Sequence, residues 1–160
     1  RLFRPLAAAA ARPPGRANVP ARELSNSAWS CSALKYCDRP LFDAISAASL
    51  RTLSDGAWAG QECANTAWSL SARECADAPL MASIAAASIR KITEWVQQWR
   101  TNTAWSVSFR CLRHVPLRDA IAASSIRTIT LFCPRHLANM AWSAAVLSCG
   151  HWTLMASISS

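Results

Sequence analysis

Apolar residues in this chain recur on two scales. On the short scale, Leu41, Ile45, Leu50 and Leu53 return as Leu80, Ile84, Ile89 and Ile92, then as Leu117, Ile121, Ile126 and Ile129. Their spacing is that of one helix face. On the long scale, whole blocks return every 37–39 residues. "SNSAWSCS" at 25–32 becomes "ANTAWSLS" at 64–71, "TNTAWSVS" at 101–108 and "ANMAWSAA" at 138–145. A period of that length marks stacked supersecondary units that bury a continuous core between them.

Each unit reads as two helices. The first surrounds the Trp. The second opens at "DRPLFDAI", "DAPLMASI" or "HVPLRDAI". Pro40, Pro79 and Pro116 suit a first helical turn, where the missing N–H would be unpaired anyway. Asp38 and Asp77 stand where an N-cap belongs. Ala and Ser between the larger residues let neighbouring helices approach closely. An aromatic residue (Trp58, Trp95, Phe132) stands ten positions before the next motif Trp. The expected fold is all-α, an α-solenoid of stacked helical hairpins with about three and a half repeats of 37–39 residues. The repeats divide as 23–60, 61–97, 98–134 and a truncated fourth at 135–160, where "LMASI" at 154–158 copies 80–84. Residues 1–22 form a basic leader or linker rich in Arg, Ala and Pro. They read either as the tail of a mitochondrial or plastid transit peptide or as a basic arm.

Within the Trp helix, two faces are expected. Trp29, Trp68, Trp105 and Trp142 share a side with Ala28, Ala67, Ala104 and Ala141 and with the small residues three positions on. That side reads as a packing seam, with the indoles as structural core; a base-stacking platform is the alternative. Asn26, Asn65, Asn102 and Asn139, with Ser30, Ser69, Ser106 and Ser143, form a second face turned away from the seam. Thr66, Thr103, Arg73 and Arg110 extend it. This polar stripe reads either as an asparagine ladder between repeats or as a concave surface that holds an extended polymer. Arg51, Arg90 and Arg127 fall late in the second helix. A cation is favourable against the helix dipole there, and a row of phosphate contacts is the other reading.

Charge narrows the partners. The formal net charge is +8, and 15 of the 17 basic residues are Arg. Arg1, Arg4, Arg12, Arg16 and Arg22 precede the first carboxylate, Glu23, and residues 81–160 carry only Glu94 and Asp119 as acids. Such a field suits a polyanion. The seven cysteines include no CxxC pair, so reduced, buried thiols are expected rather than disulfides or a metal site. His114, His136 and His151 share no repeat position. No GxGxxG, P-loop, GxSxG or HExxH is present, so neither an enzyme nor a cofactor is expected. "MASIAAASI" at 81–89 falls far short of the roughly 20 apolar residues that span a bilayer.

The stretches "ELSNSAWSCSAL", "ECANTAWSLSA" and "HLANMAWSAAVL", each followed by a PLxxAI-type helix, resemble the octotricopeptide repeats and related Trp-containing helical repeats of organelle RNA-binding proteins. The resemblance spans about residues 21–160. It implies an organellar protein that binds single-stranded RNA and acts in transcript processing, stability, editing or translation. The competing expectation is a protein-binding scaffold or accessory subunit of a large organellar complex. Weak charge in the first half and the aromatic residues Trp95, Trp99 and Trp152 favour that alternative.

Overall fold

The computed structural model describes residues 19–149 except 37, 55, 74–76, 111 and 113. Most of the leader and the "LMASI" copy at 154–158 therefore lie outside the described residues, as do Cys37, Cys75 and Cys111. The described chain is all-helical. Its seven α-helices are α1 (Ala21–Ala33), α2 (Arg39–Leu53), α3 (Gly60–Ala72), α4 (Ala78–Lys91), α5 (Gln97–Phe109), α6 (Val115–Ile126) and α7 (Pro134–Cys149). Short 3-10 turns follow α4 at Ile92–Glu94 and α6 at Ile129–Leu131.

Helices α1, α3, α5 and α7 carry the Trp motif and pack consecutively on one another, while α2, α4 and α6 do the same beside them. Each motif helix also packs on the helix that follows it. Local chemistry explains the starts of the second-layer helices. Asp38 Oδ1 accepts from the Leu41 N–H at 3.1 Å, and Asp77 Oδ1 accepts from the Leu80 N–H at 2.9 Å. In the third unit His114 Nδ1 takes the same part, accepting from the Leu117 N–H at 3.2 Å. Pro stands in the first turn of all three helices.

The core lies between the two layers. Leu41, Ile45, Leu80, Ile84, Leu117 and Ile121 are buried at the equivalent positions of α2, α4 and α6. Ile126 and Ile129 depart from the expected pattern and are 70% and 48% exposed. Among the described residues no second-layer helix stands beyond α6 to cover them.

The aromatic residues correct a sharper expectation. Trp58, Trp95 and Phe132, which stand just ahead of the motif helices, are 2%, 3% and 6% exposed. The motif indoles are not buried with them: Trp29 is 48% exposed, and Trp68, Trp105 and Trp142 are only half-buried. Trp95, one of the aromatic residues read as favouring a protein-binding scaffold, is interior. Thr52 Oγ1 accepts the Trp58 indole N–H at 3.0 Å, and Lys91 Nζ donates back to the Gly56 and Trp58 carbonyls at 3.0 and 3.3 Å. Gly60 opens α3 directly against Trp95 and Trp99, where a β-carbon would approach both rings to 2.6 Å.

One charged group is interior. Arg100 occupies the position held by Leu24 in α1 and Cys63 in α3, and it is 3% exposed. Its guanidinium donates to the Trp95 carbonyl, to the Ser124 carbonyl at 3.0 Å and to Thr128 Oγ1 at 2.6 Å. It lies 6.0 Å from the centre of the Phe132 ring. Burial, with the neighbouring Arg127 charge, lowers its pKa. It ties the 3-10 turn before α5 to the end of α6.

The two classes of aromatic residue should differ in their effect on stability. Trp95→Ala should cost about 3–5 kcal/mol, as truncation of a buried aromatic does. Trp29→Ala should cost well under half of that. Chemical denaturation of the two variants followed by circular dichroism measures the difference.

Candidate polymer-binding face

Serine, not asparagine, joins the motif helices. The Ser32 hydroxyl of α1 donates to the Ser69 carbonyl of α3 at 3.0 Å. Ser71 of α3 donates to the Ser106 carbonyl of α5 at 3.2 Å, and the Ser108 hydroxyl of α5 is shared between its own helix's Ala104 carbonyl at 2.7 Å and the Ser143 carbonyl of α7 at 3.1 Å. Each bond between helices runs from the residue three after one Trp to the residue one after the next. The accepting carbonyl also closes its own helix: Ser69 O takes the Arg73 N–H at 3.2 Å, and Ser106 O takes the Arg110 N–H at 3.2 Å. A carbonyl has two lone pairs, so both bonds can form. Ala28, Ala67 and Ala104 are fully or almost fully buried beside this seam, and their small size lets the backbones come close enough for it.

This seam divides the predicted polar stripe. Ser69, Ser106 and Ser143 are buried, and their hydroxyls donate to the carbonyls of Asn65, Asn102 and Asn139 at 2.6, 2.6 and 2.7 Å. Ser30, with no described motif helix on its flank, is only half-buried. Thr66 and Thr103 are fully buried, and their hydroxyls have no hydrogen-bond partner. Buried Ser and Thr therefore cannot meet a polymer. Arg73 and Arg110 are half-buried at the helix ends. Asn26 and Asn139 are exposed, Asn65 and Asn102 half-buried. Among the described residues no Asn side chain bonds to another repeat, and the bonds between repeats are made by Ser32, Ser71 and Ser108.

The physical reason lies in how many sides of each helix are covered. A single packing seam would leave a broad solvent face. Instead α3 meets α1 on one flank, α5 on the other and α4 beneath. Only a narrow arc remains, and Asn and Trp, about 60° apart around the helix, lie on it together. Four rows run across the helices on this arc. They are Arg22, Gln61, Gln98 and Arg135; then the four Asn; then the four Trp; then Ala33, Ala72, Phe109 and Val146. No Asp or Glu stands in any row. In α5 the Trp105 and Phe109 rings stack, with centroids 4.8 Å apart and planes 19° from parallel.

The sequence places these small residues at the seam, but size alone does not reveal the hydrogen bonds; a hydroxyl three after the Trp in three units is the signal for them.

Three thiols are described. Burial, with Glu62 nearby, pushes the Cys63 thiol up to about 12. Burial and then Asp38 raise that of Cys31, while Cys133 is exposed. Among the described residues no group of three or more His, Cys, Asp or Glu is placed to hold a metal, and no helix is long and apolar enough to cross a membrane. Compared with family models, with curated proteins and with solved structures, the chain matches none.

Two measurements check this geometry. Thr103→Val removes an unpaired buried hydroxyl at nearly constant shape, so it should raise stability by about 1 kcal/mol in denaturant titration. A fall in stability would mean that the hydroxyl is bonded. In thiol labelling mapped by mass spectrometry, Cys133 should react in the native protein. Cys63 should resist at neutral and mildly alkaline pH, because its thiolate forms only near pH 12, and should react once the chain is unfolded.

Proposed function

We propose that the chain is an α-solenoid segment of an organellar RNA-binding protein that holds single-stranded RNA along the outward arc of α1, α3, α5 and α7. Its role is in transcript processing, stability, editing or translation. The observation that carries this reading is the outward pair of Asn and Trp, presented four times on an arc without a carboxylate. An amide offers two donors and an acceptor at its tip, which suits the exposed edges of unpaired bases. Helical repeat arrays read single strands in this manner, with a few side chains per repeat.

The charge agrees with a polyanionic partner. Arg22 and Arg135 are exposed at the two ends of the Arg/Gln row, and Arg51, Arg90 and Arg127 are exposed on the second layer. The resemblance to octotricopeptide repeats supports both the repeat architecture and the RNA substrate, and the composition of the leader supports an organelle.

A second reading is a protein scaffold. It is favoured by the exposed Ile126, Ile129 and Leu131 at the end of α6 and in the turn after it, since apolar residues exposed together often mark a protein contact.

Filter binding of organelle transcripts across a salt series tests the first reading. Affinity should fall steeply as salt rises, because phosphate contacts release counterions. Asn65→Ala combined with Asn102→Ala should weaken binding by about 1 kcal/mol per amide and leave the salt slope unchanged. Absence of binding at low salt would overturn the RNA reading. Stoichiometric partners that survive RNase in a pull-down would favour the scaffold.

A further inference from the structure

The motif indoles are not buried as the core aromatics are. A Trp kept for the core would be buried, as Trp58 and Trp95 are; Trp29, Trp68, Trp105 and Trp142 instead stand on the outward arc. We infer that these four indoles form a stacking platform for the unpaired bases of a single RNA strand, one indole per repeat, each beside an Asn amide at the base edge. This inference rests on the RNA reading above and adds the part of the nucleotide that supplies affinity.

Three features lead to it. First, the serine bonds join neighbouring motif helices within one turn of the Trp on each side, so the indoles line up across the array. Helices packed through small residues lie about 8–10 Å apart. That exceeds the roughly 3.4 Å rise of a stacked strand, so consecutive bases would be splayed, each on its own ring.

Second, the protein already shows the contact. The Phe109 ring lies on Trp105 in stacked geometry, 4.8 Å between centroids. The matching residues in the first two units are Ala33 and Ala72, which bring no ring to that side of Trp29 and Trp68. A base can take there the place that Phe109 takes on Trp105.

Third, the arc has no carboxylate, and exposed Arg22 and Arg135 stand in it, which suits a phosphate backbone. A proline-rich peptide also uses aromatic faces, but it gains nothing from the cationic field.

The test compares a short mixed-sequence single-stranded RNA with its abasic counterpart, using the full chain and its Trp68→Leu, Trp68→Phe and Trp29→Leu variants. Leu retains apolar bulk but offers no flat face. Far-UV circular dichroism confirms folding, and Trp29→Leu, at the most exposed indole, guards against loss of structure at Trp68. Each Leu variant should weaken binding of the intact RNA about 5- to 150-fold, the equivalent of a lost base–aromatic stack. Trp68→Phe should retain most of the affinity. Abasic RNA should bind the wild type weakly, be indifferent to the Leu variants and show an unchanged salt slope. If intact and abasic RNA bind alike, or the Leu variants bind like the wild type, the platform is overturned while salt-dependent RNA binding stands. If no RNA binds at low salt, both readings fall. Displacement of bound RNA by an oligoproline peptide, with loss of that competition in Trp68→Leu, would reassign the row to peptides.

Discussion

The hydrogen bond from one serine hydroxyl to the next repeat's serine carbonyl sets the distance between motif helices, and the remaining geometry follows from that distance. A hydroxyl on a one-carbon stem reaches a neighbouring backbone only if the two helices nearly touch. Ala28, Ala67 and Ala104 permit that approach. Small residues alone would permit it equally well at several sliding positions. The directional bond selects one, and Ser32, Ser71 and Ser108 select the same one each time.

Close approach on both flanks has a consequence for large side chains. An indole cannot fit into a seam lined with Ala and Ser, so the motif Trp is displaced to the outward arc. Core volume must then come from elsewhere, and residues just before each motif helix supply it: Trp58, Trp95 and Phe132 fill the space between the layers. Arg100 shows how tightly that space is closed. A guanidinium with no carboxylate beside it is tolerated there because backbone and hydroxyl oxygens take up its donors, as a buried charge requires.

The fold class was legible in the sequence because the apolar period, the Pro at the start of each second helix and the Asp caps all indicate helices. Agreement across levels of that kind is what makes a fold readable. The outward arc was legible only in part. The Asn positions reach that arc, but beside the Trp rather than on a face apart from it, and Ser69, Ser106 and Thr66 do not reach it, because a helical wheel shows angles and not the number of neighbours. A helix flanked on both sides buries positions that a singly packed helix would expose. Ser30 and Ala145, at the two ends of the described stack, stay half-buried and exposed, which fits that cause. The Trp was misread for a different reason: its apolar area suggests burial, yet an indole presented singly at a surface is compatible with folding.

Repeated side chains keep a fixed spacing only where the packing that sets it cannot drift. If the indoles bind bases as proposed, using them as the packing elements as well would set ligand binding against folding for the same rings. Separating the tasks removes that competition. Serine and alanine fix the pitch, the aromatic residues ahead of each helix hold the layers, and the Asn and Trp on the arc stay free of both duties. In a linear array, stability is close to a sum of neighbouring interfaces. The surface features then repeat at whatever interval those interfaces set, and here a serine hydroxyl on one helix bonds a backbone carbonyl of the next across a close contact.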